Sequence, residues 1–183
     1  MQLPFGHGQI ELLLGDITHQ QVDAIVNAAN TRLAGGSGVD GAIHQAAGPG
    51  LLEACQQLAA KSGGERCPTG EARSTPAFDL SADWVIHTVG PVYDAQQHEL
   101  CCQQLADAFR SSFKEARRLG CNSVAVPAIS TGVYRFPLSE AARIALAAAR
   151  QFLLEDAHPA TIRFVLFGQI QWDAFAAEMA QSD

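Results

Sequence analysis

Three short apolar runs constrain the fold most: WVIHTV at 84–89, SVAVPA at 123–128 and IRFVLF at 162–167. None alternates cleanly between apolar and polar residues. A strand with one wet face alternates with period two, whereas a strand covered on both faces stays apolar along its length. Stretches with helical spacing separate these runs. Residues 99–119 carry Leu105, Ala108, Phe109, Ser112, Ala116 and Leu119 along one face, and SEAARIALAAARQFLLE at 139–155 is rich in strong helix formers behind Pro137. Residues 9–14 and 22–26 read as two further strands, and 171–180 as a short terminal helix. From Val39 the pattern is that of two helices broken at Gly48-Pro49-Gly50, while 61–83 reads as irregular. Strands alternating with long helices predict a three-layer α/β/α domain, one unit over residues 1–183.

Composition narrows the partners. Of 183 residues, 48% are apolar and 17% charged, which is the balance of a packed domain. The net charge is −7, and no basic stripe is present, so bulk charge does not favour nucleic acid. Five cysteines, Cys55, Cys67, Cys101, Cys102 and Cys121, include no CxxC pair. That pattern argues for reduced thiols in a cytoplasmic protein, mostly as core filler, and against disulfides or structural zinc. MQLPFGHGQI has no basic start followed by an apolar run, and no membrane span is expected.

In open α/β sheets ligands sit beyond the carboxyl ends of the strands. Three suggestive stretches fall there: Gly15 to Thr18, Asn27 to Asp40 and Ala128 to Phe136. Gly35, Gly36 and Gly38 free amides in one loop, and Ser130, Thr131 and Gly132 supply another near a helix start. The two loops together suit a diphosphate cradled without lysine. Neither is a Walker loop or a GxGxxG fingerprint, and tight turns are the plain alternative. Asp16 reads either as a turn cap or as an acceptor for the exocyclic amine of a base. Asn27 and Asn30 suit ribose hydroxyls or loop bracing. Asp40, just inside a helix start, either favours the helix dipole or orients a water for attack. His44 and His87 read as structural. Tyr134 and Phe167 are placed to stack on a base or ribose, with core packing the default for Phe167.

GDIT at 15–18, VNAAN at 26–30, GGSGVDGAIHQAAG at 35–48, CPTGEA at 67–72, VIHTVGPVY at 85–93 and PAISTGVYRFP at 127–137 together resemble the macro domain family. More narrowly they resemble its MacroD-like branch, bacterial enzymes and mitochondrial relatives that hydrolyse ADP-ribosyl esters. The resemblance implies a mixed, mostly parallel sheet between helices, with ADP-ribose in a cleft at the strand ends. It implies that Asp16 takes the adenine amine with Ile17 beside it, and that Phe167 flanks adenine. Gly36, Ser37, Gly38 and Val39 would lie along the diphosphate and ribose, with Ser130, Thr131, Gly132, Val133 and Tyr134 opposite. Asn30 would hold the distal ribose, with Asn27 also in the ligand-binding set, and Asp40 would stand at the scissile bond. The implied substrates are O-acetyl-ADP-ribose and proteins carrying ADP-ribose on acidic side chains, with no cofactor and no metal. A non-catalytic ADP-ribose reader is the alternative. The sequence departs from the family pattern at Ser37, where a glycine is commoner, at STPAFDL (74–80), and at Gly168, where Asp or Asn is frequent.

Overall fold

The structure is a computed structural model that describes residues 1–61 and 63–181. Its strands are β1 (Gln2–Phe5), β2 (Gly8–Leu14), β3 (Ala24–Ala28), β4 (Ala72–Pro76), β5 (Trp84–Thr88), β6 (Ser123–Val126) and β7 (Thr161–Leu166). The α-helices are α1 (Gly38–Ala47), α2 (Pro49–Gln57), α3 (His98–Arg118), α4 (Leu138–Glu155) and α5 (Gln169–Ala180). The strands form one mixed sheet in the order β1-β2-β7-β6-β3-β5-β4. The five inner strands run parallel, and β1 and β4 are antiparallel edges. No helix among the described residues is long and apolar enough to cross a membrane.

The unbroken apolar runs are explained by two separate cores. Ala24, Val26, Ile86, Val124, Val126, Phe164 and Leu166 point to one face of the sheet, where Phe109 and Phe113 of α3, Phe152 of α4 and Phe175 of α5 pack on them. Ile25, Val85, Ala125 and Val165, the intervening residues, point to the other face, under Ile43 and Ala47 of α1 and Leu51 of α2. This is the expected three-layer sandwich. Each fully buried phenylalanine contributes on the order of 2–3 kcal/mol in transfer from water.

The break between α1 and α2 falls where expected. Gly48 takes φ 78°, ψ 179°, and Pro49 opens α2 at its first position, where the missing N–H costs nothing. Two edge strands were not expected. β4 lies inside the segment that reads as irregular, because ARSTP is polar and ends in proline, as an edge strand can. β1 likewise carries Pro4 and pairs with β2 alone. The strand expected over 22–26 also shifts, to 24–28, so Asn27 is a strand residue paired with His87 of β5 rather than the first residue of a loop.

Candidate functional site

The parallel strands deliver their following loops to one edge of the sheet, and a cleft opens there. It has two lobes. A cavity of 580 Å³ is lined by residues including Asp16, Ile17, Thr131, Val165, Phe167, Gly168 and Gln171. A second of 360 Å³ is lined by residues including Asn30, Gly36, Ser37, Asp40, Ser130, Val133 and Tyr134. Gly38, Val39, Ala128 and Gly132 border both lobes and form the neck between them. Both volumes lie in the range of small-molecule sites. No lysine or arginine lines either lobe.

The neck is made of backbone. Gly38 and Val39 begin α1, whose first amides have no acceptor within the helix and carry the positive end of its dipole. Across from them the 128–136 loop closes on itself. The Thr131 Oγ1 donates to the Ala128 carbonyl at 2.8 Å, the Phe136 N–H to Ser130 at 3.0 Å, and the Tyr93 N–H to Tyr134 at 2.9 Å. Ser130 sits at φ 65°, and its buried Oγ has no partner among the described residues. Gly90, after β5, touches this loop so closely that a Cβ there would stand 2.1 Å from the Ser130 Oγ. Amides on two sides and no fixed cation suit a diphosphate.

In the larger lobe, Asp16 closes a short turn. Its Oδ1 accepts from the Thr18 N–H at 2.9 Å and from the Thr18 Oγ1 at 2.7 Å. The Thr18 hydroxyl, ahead of its N–H, holds the carboxyl below its ordinary value. The two readings of Asp16 are therefore compatible, because both Thr18 hydrogen bonds fall on Oδ1 and the residue borders the lobe. Phe167 is not packed in the core: it is 81% exposed at the mouth. Val133, 78% exposed, stands at the other lobe. Large apolar groups held in water beside a cleft are a binding signal. The Phe167 N–H donates to the Gln171 Oε1 at 3.2 Å, which makes Gln171 a cleft residue that sequence reasoning missed. Its spacing of four from Phe167 at a helix start was the available signal.

At the far end of the smaller lobe, Asn30 braces the glycine loop. Its Nδ2 donates to the Gly35 carbonyl at 2.8 Å, and its Oδ1 accepts from the Arg32 and Ala34 N–H groups. One N–H of this amide is left over. Ser37 occupies the cap position of α1 without a side-chain cap bond, so its hydroxyl is available at the lobe. Gly36 lies against Asp40: a Cβ on Gly36 would stand 2.9 Å from the Asp40 Oδ2.

Asp40 is 4% exposed and borders the smaller lobe. Its Oδ1 accepts from the Asn27 Nδ2 at 2.7 Å and lies 3.5 Å from the His44 Nε2. Burial raises the Asp40 pKa above the usual carboxylate value, outweighing the Asn27 hydrogen bond and the His44 charge, which both lower it. Asn27 itself is fully buried and lines neither lobe. In this structure it braces from beneath: its amide nitrogen donates to Asp40 and lies 3.2 Å from the His87 Nδ1, and its Oδ1 has no partner among the described residues. His87 is structural, as expected. Burial, with the nearby His44 charge, pushes its pKa down to about 3, so it is neutral. With Nδ1 accepting from Asn27, Nε2 carries the proton toward the Thr75 Oγ1 at 2.9 Å. STPAFDL also lies away from the cleft: Phe78 and Asp79 pack against Gly50 and Gly48 at the α1–α2 break.

Comparison with known proteins identifies the family. A macro domain-containing protein of Streptomyces coelicolor is 50% identical over 173 residues, covering 93% of this chain and 98% of that protein. An O-acetyl-ADP-ribose deacetylase of Escherichia fergusonii is 52% identical over 161 residues, 88% of this chain and 89% of that protein. The structure of an Oceanobacillus iheyensis macrodomain with ADP superimposes with a TM-score of 0.93 at 40% identity, covering 99% of this chain and 95% of that one. The Macro domain family profile matches residues 26–145, and with near full-length relatives at about half identity, the chain belongs to the macro domain family and is closely related to its MacroD-like ADP-ribosyl hydrolases.

Proposed function

We propose that this protein hydrolyses ADP-ribosyl esters, deacetylating O-acetyl-ADP-ribose and removing mono-ADP-ribose from acidic side chains. The observation that carries the reading is Asp40, a buried carboxylate at the end of a two-lobed cleft whose neck is built from amides. A reader has no use for a desolvated carboxylate held at such cost.

Adenine lies in the lobe of Asp16 and Phe167, with its exocyclic amine on the Asp16 Oδ2. The diphosphate crosses the neck between the start of α1 and the 130–134 loop. The distal ribose then reaches the smaller lobe, where the spare Asn30 N–H holds a hydroxyl. A water between Asp40 and the substrate phosphate attacks the ester carbonyl carbon. The bond from that carbon to the ribose oxygen breaks, giving free acid and ADP-ribose. Asp40 orients and polarises the water, and the phosphate assists. The amides of the neck supply fixed dipoles that need no reorganisation during reaction.

The test is Asp40→Ala with O-acetyl-ADP-ribose, following free ADP-ribose by chromatography and ADP-ribose affinity by calorimetry. The variant is expected to bind and to lose about 10²–10⁴-fold in turnover. Undiminished turnover in a folded Asp40→Ala protein rejects the role of Asp40, and wild-type binding without turnover of either ester class assigns the cleft to recognition alone.

A further inference from the structure

On the sheet face opposite α1, remote from the cleft, the groove between α3 and α4 holds a second cluster of chemically able side chains. His98 and Cys102 are one turn apart at the start of α3, and Glu140 lies in the first turn of α4. Four-residue spacing puts the first two on the same helix face. The His98 Nε2 is 3.3 Å from the Glu140 Oε1, the Cys102 Sγ is 3.6 Å from the His98 Nε2, and the Sγ is 3.7 Å from the Oε1. These three side chains are the one set among the described residues whose donor atoms converge in this way. They border a groove of 590 Å³ and line neither lobe of the cleft.

We propose that His98, Cys102 and Glu140 form a binding site for a zinc-class divalent cation, with its fourth position open to the groove. A tetrahedral zinc bound to sulfur, imidazole nitrogen and carboxylate oxygen separates those donors by about 3.3–3.7 Å, as follows from its bond lengths. The three sides of the observed triangle match without movement of either helix. The mixed donor set of thiolate, imidazole and carboxylate excludes calcium and magnesium, which take oxygen ligands.

The surroundings fit the same role. The His98 Nδ1 lies 3.2 Å from the Tyr93 hydroxyl, which fixes the ring with Nε2 toward the cluster, as outer partners of metal-bound histidines do. The neighbouring thiol plays no part: the Cys101 Sγ is buried and donates to the Val92 and Asp94 carbonyls. On binding, the thiol proton leaves to solvent and an S–metal bond forms, with no change of oxidation state. Arg143, whose Nη2 is 3.6 Å from the Glu140 Oε1, is the competing cation. Sequence spacing did not reveal this set, because Glu140 joins it only through the packing of α4 on α3.

The experiment titrates the metal-stripped full chain with cobalt(II), then displaces it with zinc(II). One equivalent is expected to give the visible bands of four-coordinate cobalt and a near-ultraviolet thiolate-to-cobalt band. Cys102→Ser is expected to lose the thiolate band, and His98→Ala to bind about tenfold or more weakly. Retained ADP-ribose binding shows that both variants are folded. A wild type with no thiolate band, or a band that persists in Cys102→Ser, overturns the proposal.

Discussion

Replacing Asn27 by alanine tests whether the buried amide beneath the cleft sets the working pH of Asp40. Asn27 gives Asp40 a 2.7 Å hydrogen bond inside the protein, where Asn27 is fully buried and Asp40 nearly so. A hydrogen bond to a charged group contributes about 1.5–3 kcal/mol, and about 1.4 kcal/mol corresponds to one pH unit of titration. The bond favours the ionised carboxylate, so its removal raises the Asp40 pKa further, adding to what burial has already done. The acid limb of kcat/KM for O-acetyl-ADP-ribose, measured after subtracting spontaneous hydrolysis, is expected to move to higher pH by about one to two pH units. The plateau above it falls less, because Asp40 is still present there. ADP-ribose affinity is expected to hold, since Asn27 borders neither lobe. An acid limb that stays in place in a folded Asn27→Ala protein refutes the reasoning, since ionisation of Asp40 would then not be what the limb reports.

Phe167→Ala removes a side chain that is 81% exposed, so the melting temperature should hardly move while ADP-ribose affinity falls by the stacking contribution of about 1–3 kcal/mol, read by calorimetry. Gly90→Ala places a methyl 2.1 Å from the Ser130 Oγ and 2.6 Å from the Ile129 Cγ2, and is expected to cost about 1–3 kcal/mol in denaturant unfolding and to weaken ligand binding by displacing the 128–136 loop. Asp40→Asn should match or exceed the wild type in melting temperature at neutral pH. The folded pKa of Asp40 is raised, so its contribution to stability is fully present below the unfolded value and is lost as pH rises through the folded one. The advantage of Asp40→Asn should therefore vanish as the pH is lowered through that window, and an advantage that does not change with pH would contradict it.

The inner strands were legible because helices cover both of their faces, which leaves Val85, Ile86, Val124, Val126 and Val165 no reason to alternate with polar residues. The edges were not, because β1 and β4 each pair on one side only and tolerate Pro4, Pro76 and exposed polar residues that read as loop. The glycine loop, Asp40 and the 130–134 loop stood out as candidates for a different reason: each is a local exception to packing composition between a strand end and the first turn of the next helix. What joins them was not. The Gly90–Ser130 approach and the Asn27–His87 pair depend on the registers of β5 and β3, which no spacing along the chain encodes. Asparagine after Val26 reads as punctuation, yet the strand runs on through it, with its amide nitrogen directed at Asp40 and His87 inside the sheet.

That amide nitrogen links the core to the cleft, while the Asn27 Oδ1 has no partner among the described residues. Thr75, His87, Asn27 and Asp40 form a row from the edge strand β4 through β5 and β3 to α1. Asn27 can direct N–H groups at both neighbours only if both accept. Asp40 accepts when ionised, and the His87 Nδ1 accepts only while the ring is neutral. A charged His87 would present an N–H to the Asn27 N–H, and the amide would turn its oxygen toward the ring and lose Asp40. Burial holds the His87 pKa at about 3, so the ring stays neutral wherever Asp40 is ionised. The covered sheet that makes the strands apolar is therefore also what keeps the row polarised toward the carboxylate, and the edge strand with the least apolar sequence supplies the threonine that accepts from its far end.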